Sequence, residues 1–192
     1  KNITLYAPNG ATIANTSTVG TNYGEFEVRS GFQIYGKATP TISGFTLTDW
    51  RWAISAGGSQ GSWTVKDTKI VGGNCGVCAA GTPGNWTIEN VLIENAGTIS
   101  GYESTGDWTI SNATINETDI TASKSTGNPT IKSTVIQDAN EDGVKFDKSI
   151  GEWEIRDTII QRTEENGIDV DDSTGDWKIY NTVIRDSESD AV

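Results

Sequence analysis

The residues that could do chemistry in this chain are carboxylates, indoles and one pair of thiols, because its 192 residues include no histidine. Ser-His-Asp and Cys-His nucleophilic arrangements are therefore excluded within the chain, and so is histidine-ligated zinc. No residue set reads as catalytic. The strongest acidic group is Asp147, Asp169 and Asp171. The last two crowd one short stretch with Asp172, and Asp147 falls in register with Asp171 one repeat earlier. Carboxylates ~5 Å apart on neighbouring strands could bind Ca2+ or act as a retaining glycosidase pair. Against this, Lys145 shares a column with Asp169, Lys148 with Asp172 and Lys178 with Glu154. Such alternation reads as surface charge that avoids stacking like signs. Ca2+ is thus the one possible cofactor, and otherwise none is expected.

Trp50 and Trp52, in Thr48-Asp49-Trp50-Arg51-Trp52, could stack on sugar rings. The competing reading has them covering the base of the fold beneath the irregular segment 16–29. The cysteines form a lone Cys75-Gly76-Val77-Cys78. In an extended strand, positions i and i+3 lie ~10 Å apart, which favours two free thiols. A tight disulfide needs the chain to turn there, and two thiolates without another soft ligand make a poor metal site. Asn-x-Ser/Thr sequons occur at Asn2, Asn15, Asn85, Asn112 and Asn116, and they matter only in an exported chain. Asn112 is expected inside a buried polar ladder. That leaves Asn116, in the shortest corner loop, as the expected acceptor.

Acidic residues outnumber basic ones 26 to 14, giving a net charge of −12 and a pI near 4.3. Nothing here could neutralise a run of phosphates, so nucleic acid is not an expected partner, and neither is an anionic membrane surface. The balance fits a hydrated acidic surface or a high-salt habitat. No apolar run is long enough to span a bilayer.

What must position these groups is a repeat. Six segments align on Trp or Pro followed two residues later by Ile or Val, at Trp63, Trp86, Trp108, Pro129, Trp153 and Trp177, and an earlier one starts at Pro40. A second aliphatic follows five positions on, from Leu47 and Ile70 to Ile184. The third is Ile54, Val77, Ile99, Ile120, Val144, Ile168 and Val192. The step from each third aliphatic to the next first one is always eleven residues, as from Ile54 to Val65. Each such step carries Gly at one column, Gly61 to Gly175, with Ser or Thr just before it. Length varies only between the second and third aliphatics, so one corner of the repeat is a variable loop. The aliphatics sit in short strands of period two, rich in β-branched residues. One repeat of ~22 residues cannot bury its own apolar face, but stacked copies bury a continuous core. The Trp column lies two residues from a core Ile, hence on the same strand face, so it is expected to be a structural row and not a sugar platform. Asp67, Asn90, Asn112, Ser133, Asp157 and Asn181 form a polar column at a turn.

The phrase Thr-Gly-Asp-Trp-x-Ile-x-Asn-x-x-Ile, at 105–115 and 174–184, resembles repeats of the right-handed parallel β-helix proteins of the pectate-lyase-like superfamily. The opening Ile3–Ile13 stretch is similar to a first rung in that family. Combined with the acidity, the style resembles secreted β-helix proteins of halophilic archaea and their viruses. The resemblance implies an all-β, right-handed single-stranded parallel β-helix of about seven rungs of 21–24 residues. Residues 1–39 are expected to form irregular first rungs and the base, and 40–192 the regular rungs. The fold hosts lyases, hydrolases, adhesins and tail spikes alike, so it does not give an activity.

The expected function is a non-enzymatic structural or adhesive module of an extracellular cell-surface or virion protein, contacting glycans or partner subunits. A polysaccharide-active enzyme and a Ca-dependent carbohydrate-binding module are the rivals. The last rung lacks its closing Ser-Thr-Gly corner, so further rungs, another domain or a neighbouring subunit are expected to continue it. Asp169, on the outward face of its strand, is expected to tolerate substitution as an exposed ion-pair member.

Overall fold

A computed structural model describes residues 4–14 and 30–192 of the chain. Among these residues there are nineteen strands and no helix, and every strand pairing is parallel. The chain winds as a solenoid of about seven turns. Each regular turn contributes three short strands to three faces. The first face holds Trp63–Lys66, Trp86–Glu89, Trp108–Ser111, Pro129–Lys132, Trp153–Arg156 and Trp177–Tyr180. The second includes Lys69–Val71, Val135–Gln137, Ile159–Gln161 and Val183–Arg185. The third includes Ser30–Gln33, Trp52–Ser55, Cys75–Cys78, Val144–Lys145 and Ile168–Asp169. Where the variable corner is short, Leu92–Ser100 and Thr114–Thr121 run through it and belong to both the second and third faces. Thr4–Ala14 pairs with Thr41–Thr48, and Ser30–Gln33 with Trp52–Ser55, so parallel pairing begins before residue 40.

The three aliphatic columns meet inside. Ile54, Val77, Ile99, Ile120, Val144 and Ile168 pair rung to rung in one line, each at most 1% exposed. The other two columns are equally buried until the last turn, where Ile179 and Ile184 are only partly covered. Three corners close each turn, and each is set by a residue in the left-handed region. The first corner uses Asp67, Asn90, Asn112, Ser133, Asp157 and Asn181 at φ of 49–53°. Asn and Asp tolerate this conformation better than most residues. The second corner uses positions such as Gly72, Asn95 and Asp138, and the third Gly58, Gly81 and Lys124. The fixed glycine column does something else. A Cβ on Gly84 or Gly106 would lie 2.3 Å from the carbonyl oxygen of the glycine one turn earlier, so neighbouring turns touch backbone to backbone. The hydroxyls beside that column tie the turns together. Thr82 donates to the Ala56 carbonyl at 2.9 Å, Ser104 to that of Ala79 at 2.9 Å, and Ser149 to that of Ala122 at 2.8 Å.

The tryptophan row is interior. Trp63, Trp86 and Trp108 are 2% exposed and stack with ring centroids 5.4 and 4.7 Å apart. Small residues make room for them: a Cβ on Gly101 would meet both the Trp86 and the Trp108 rings. Where Pro129 interrupts the row, Phe146 from the same turn fills the space and stacks on Trp153 at 4.3 Å. Volume lost at one column is restored at another, as close packing requires.

Candidate functional site

The third face divides into two unlike halves. In its early turns, outward positions carry small residues. Ser55, Cys78, Ser100 and Thr121 form one column, while Trp52, Cys75, Thr98 and Asp119 form the next. Between them lies a groove of about 310 Å³ lined by Trp52, Ser55, Gly57, Cys75, Cys78, Ala80, Thr98 and Ser100. Serine, alanine and glycine keep this floor low, because little projects from the sheet, and the half-buried Trp52 stands as a wall. The Arg51 guanidinium lies 5.3 Å from the Trp52 ring centroid. This is within the ~6 Å range of a cation–π contact. Beyond Ala80, the Tyr102 hydroxyl accepts a 2.6 Å hydrogen bond from Lys124.

The two tryptophans singled out in the sequence are separated by the fold. Trp50 is 8% exposed and belongs to the core, so it cannot offer a face to a ligand. It precedes the strand, at the corner following Asp49 with φ 58°, where alternation of sides no longer applies. Trp52 alone reaches the surface. The cysteines are bonded to each other, with Cα atoms 6.0 Å apart. The free-thiol expectation assumed a straight strand. Instead the pairing skips Gly76, so that Cys75 faces Thr98 and Val77 faces Ile99, and this bulge brings the two cysteines together.

Further along the same face the surface is charged. Asp119 follows Thr98 in its column, and its carboxylate accepts the Glu141 amide at 3.2 Å. Burial pushes the Asp119 carboxyl up to about 6, helped by repulsion from Glu141 and Asp142 and opposed by the Glu141 and Asn140 amides. Asp142 is buried, and its oxygens accept from the Asn166 backbone and side chain, each at 3.0 Å, and from Lys145 at 2.9 Å. Lys145 also reaches Asp169 at 2.7 Å. These two carboxylates hold the lysine well above its ordinary range. Burial alone would raise Asp169, but Lys145 and the Asp171 amide outweigh it and hold the carboxyl below its usual value.

The remaining candidates are placed as follows. The carboxylates of Asp147, Asp169 and Asp171 do not form one metal-holding group. Asp147 pairs with Lys148 at 2.9 Å, Asp169 with Lys145, and Asp171 is exposed. No cluster of three or more His, Cys, Asp or Glu able to hold a metal exists among the described residues. Asp169 is not a freely exposed ion-pair member, because its side chain is only 10% exposed. Asn112 is exposed, since the ladder runs along the outside of the first corner. That ladder is bonded in places, with Asn90 donating to Asp67 at 2.6 Å and Asn181 to Asp157 at 3.2 Å. Asn116 is half-buried within a ladder of its own, accepting from Gln137 at 3.0 Å. The sequons at Asn2 and Asn15 lie outside the described residues. Sequence reasoning missed Asp119, which sits in a plain strand and carries no local signal. It did not single out Asp142 either, although Lys145 three residues later, in register with Asp169, pointed to the pairing.

A family model described as right handed beta helix region matches residues 30–184. Neither a curated protein nor a solved structure matches the chain.

Proposed function

This chain belongs to the right-handed beta helix family, and from that premise we propose that it is a non-enzymatic structural and adhesive module that holds glycans in the groove beside Trp52. The observation that carries the reading is the groove itself: about 310 Å³, one half-buried indole wall, a low floor, and the Asp119 carboxylate at the end of the column. Aromatic faces beside a few polar groups are what sugar rings require, since the apolar face of a pyranose stacks while its hydroxyls hydrogen-bond. Placement on an extracellular, cell-surface or virion protein is supported by the Cys75–Cys78 disulfide, which persists in oxidising surroundings. The net charge of −12 supports a salt-rich habitat.

Titration of the full chain with neutral and uronic-acid oligosaccharides, followed by calorimetry, tests this. Trp52→Ala should weaken binding at least tenfold, the loss expected of an aromatic anchor. Unchanged binding in that variant, or no binding of any glycan, would sink the proposal.

A second reading, a polysaccharide-active enzyme, is favoured by one observation. A carboxyl held near 6 beside a groove has the protonation behaviour of a general acid. New reducing ends or unsaturated products that disappear in Asp119→Asn would establish it over the adhesive reading.

A further inference from the structure

We propose that Asn112 is an N-glycan acceptor. The sequon Asn112-Ala113-Thr114 straddles the first corner, and its three residues alternate in exposure. Asn112 and Thr114 are exposed, whereas Ala113 is buried. The acceptor amide and the hydroxyl two residues on are thus both open to solvent. Neither side chain has a hydrogen-bond partner among the described residues, although Asn90 and Asn181 of the same column are both bonded.

The other described sequons are already engaged. At Asn116 the side-chain oxygen accepts from Gln137 at 3.0 Å. Its partner Thr118 is fully buried, donates to the Asn116 carbonyl at 3.0 Å and accepts from the Ala96 amide at 3.1 Å. Glycosylation there would compete with a ladder and a buried hydroxyl. Asn85 is intermediate: it is exposed, but its side-chain oxygen accepts the Asp107 amide at 3.0 Å. Among the described sequons, Asn112 is the one whose acceptor amide and hydroxyl are both exposed and both without a hydrogen-bond partner. That corner joins the first and second faces, so the sugar would project away from the groove on the third and leave it open.

The transfer needs a lipid-linked oligosaccharide and an oligosaccharyl transferase. The Asn112 side-chain nitrogen attacks the anomeric carbon, forming a C–N bond. The bond from that carbon to the phosphate oxygen breaks, the lipid phosphate leaves with the electron pair, and the amide loses one proton to a transferase base. The proposal rests on the exported location proposed above. The test supplies the transferase directly, so failure of one reading is distinguishable from failure of the other.

The folded full-length chain is incubated with a purified oligosaccharyl transferase and its lipid-linked donor, and occupancy at Asn85, Asn112 and Asn116 is read by peptide mass spectrometry. Asn112 should carry the highest occupancy of the three and Asn116 essentially none. Asn112→Gln should abolish the main gel shift, while Asn116→Gln leaves it in place. No modification at Asn112, or occupancy at Asn85 or Asn116 equal to or above it, overturns the proposal.

Discussion

The early and late halves of the third face stand on the same core and the same pairing register, yet they treat their polar groups in opposite ways. Early on, Ser55, Cys78 and Ser100 leave a hollow beside Trp52. Later, after Thr121, Lys145 continues that column and is held between Asp142 and Asp169. The late half has satisfied its own charges and offers little to a partner. The early half leaves an aromatic face and a floor uncovered. A regular scaffold does not make its surface uniform: what fills the outward positions decides which stretch is structure and which is available for binding.

The common core sets the largest effect against which either half can be measured. Ile110→Ala, in the middle of the stack, should cost ~2–5 kcal/mol in denaturant melts. A smaller loss than that of any surface variant would mean the interior is assigned wrongly. Next comes the late half. Lys145→Met strips the buried Asp142 of its cation, although the Asn166 bonds remain, and should cost ~2–3 kcal/mol. The pair also fixes a pH window. Lys145 is raised, so its contribution is complete below the ordinary lysine value and is lost as pH climbs through the folded one. Asp169 is lowered, so its contribution is complete above the ordinary aspartate value and is lost as pH falls. The penalty for Lys145→Met should therefore be flat between about pH 5 and 10 and shrink outside that range. A penalty that varies with pH inside it would break the account.

Asp119 sits at the boundary of the two halves, and its sign is reversed. Its folded value near 6 exceeds the ordinary 3.8, so the ionised form is disfavoured in the fold and stability rises as pH drops between those values. Asp119→Asn should then stabilise the chain at pH 7 by ~1 kcal/mol, allowing for solvent screening of a half-exposed group, and have no effect near pH 4. Equal effects at both pH values would sharpen the boundary differently, placing Asp119 with the satisfied half. Smallest of all, Asp147→Ala removes an exposed pairing with Lys148 and should change stability by under about 0.5 kcal/mol.

Much of the architecture was legible because a solenoid converts spacing into contact. Residues one repeat apart in the chain become neighbours in space, so the column from Ile54 to Ile168 could be read before any coordinates. What escaped depended on departures from the repeat. The bulge at Gly76 that bonds the cysteines, the corner that sinks Trp50 while raising Trp52, and the exchange of bulk between Pro129 and Phe146 are each decided by contacts between turns. Asn112 was misplaced for a related reason: a column can be stacked and yet lie on the outside of a corner. The candidate site was only half legible. Trp52 was named, but the floor beneath it is made of small residues that carry no signal of their own.

The indole row has an optical consequence. Trp63, Trp86 and Trp108 are held nearly parallel, with 4–6° between planes and centroids 4.7–5.4 Å apart, so their excited states should couple and shift the indole absorption and emission. Trp153 and Trp177 form a second array at 5.3 Å, cut off from the first where Pro129 lacks a ring. The molecule thus carries two built-in chromophore stacks, one for each end. A two-step loss of that coupling during heating would reveal that one end of the solenoid unwinds before the other, with no label attached.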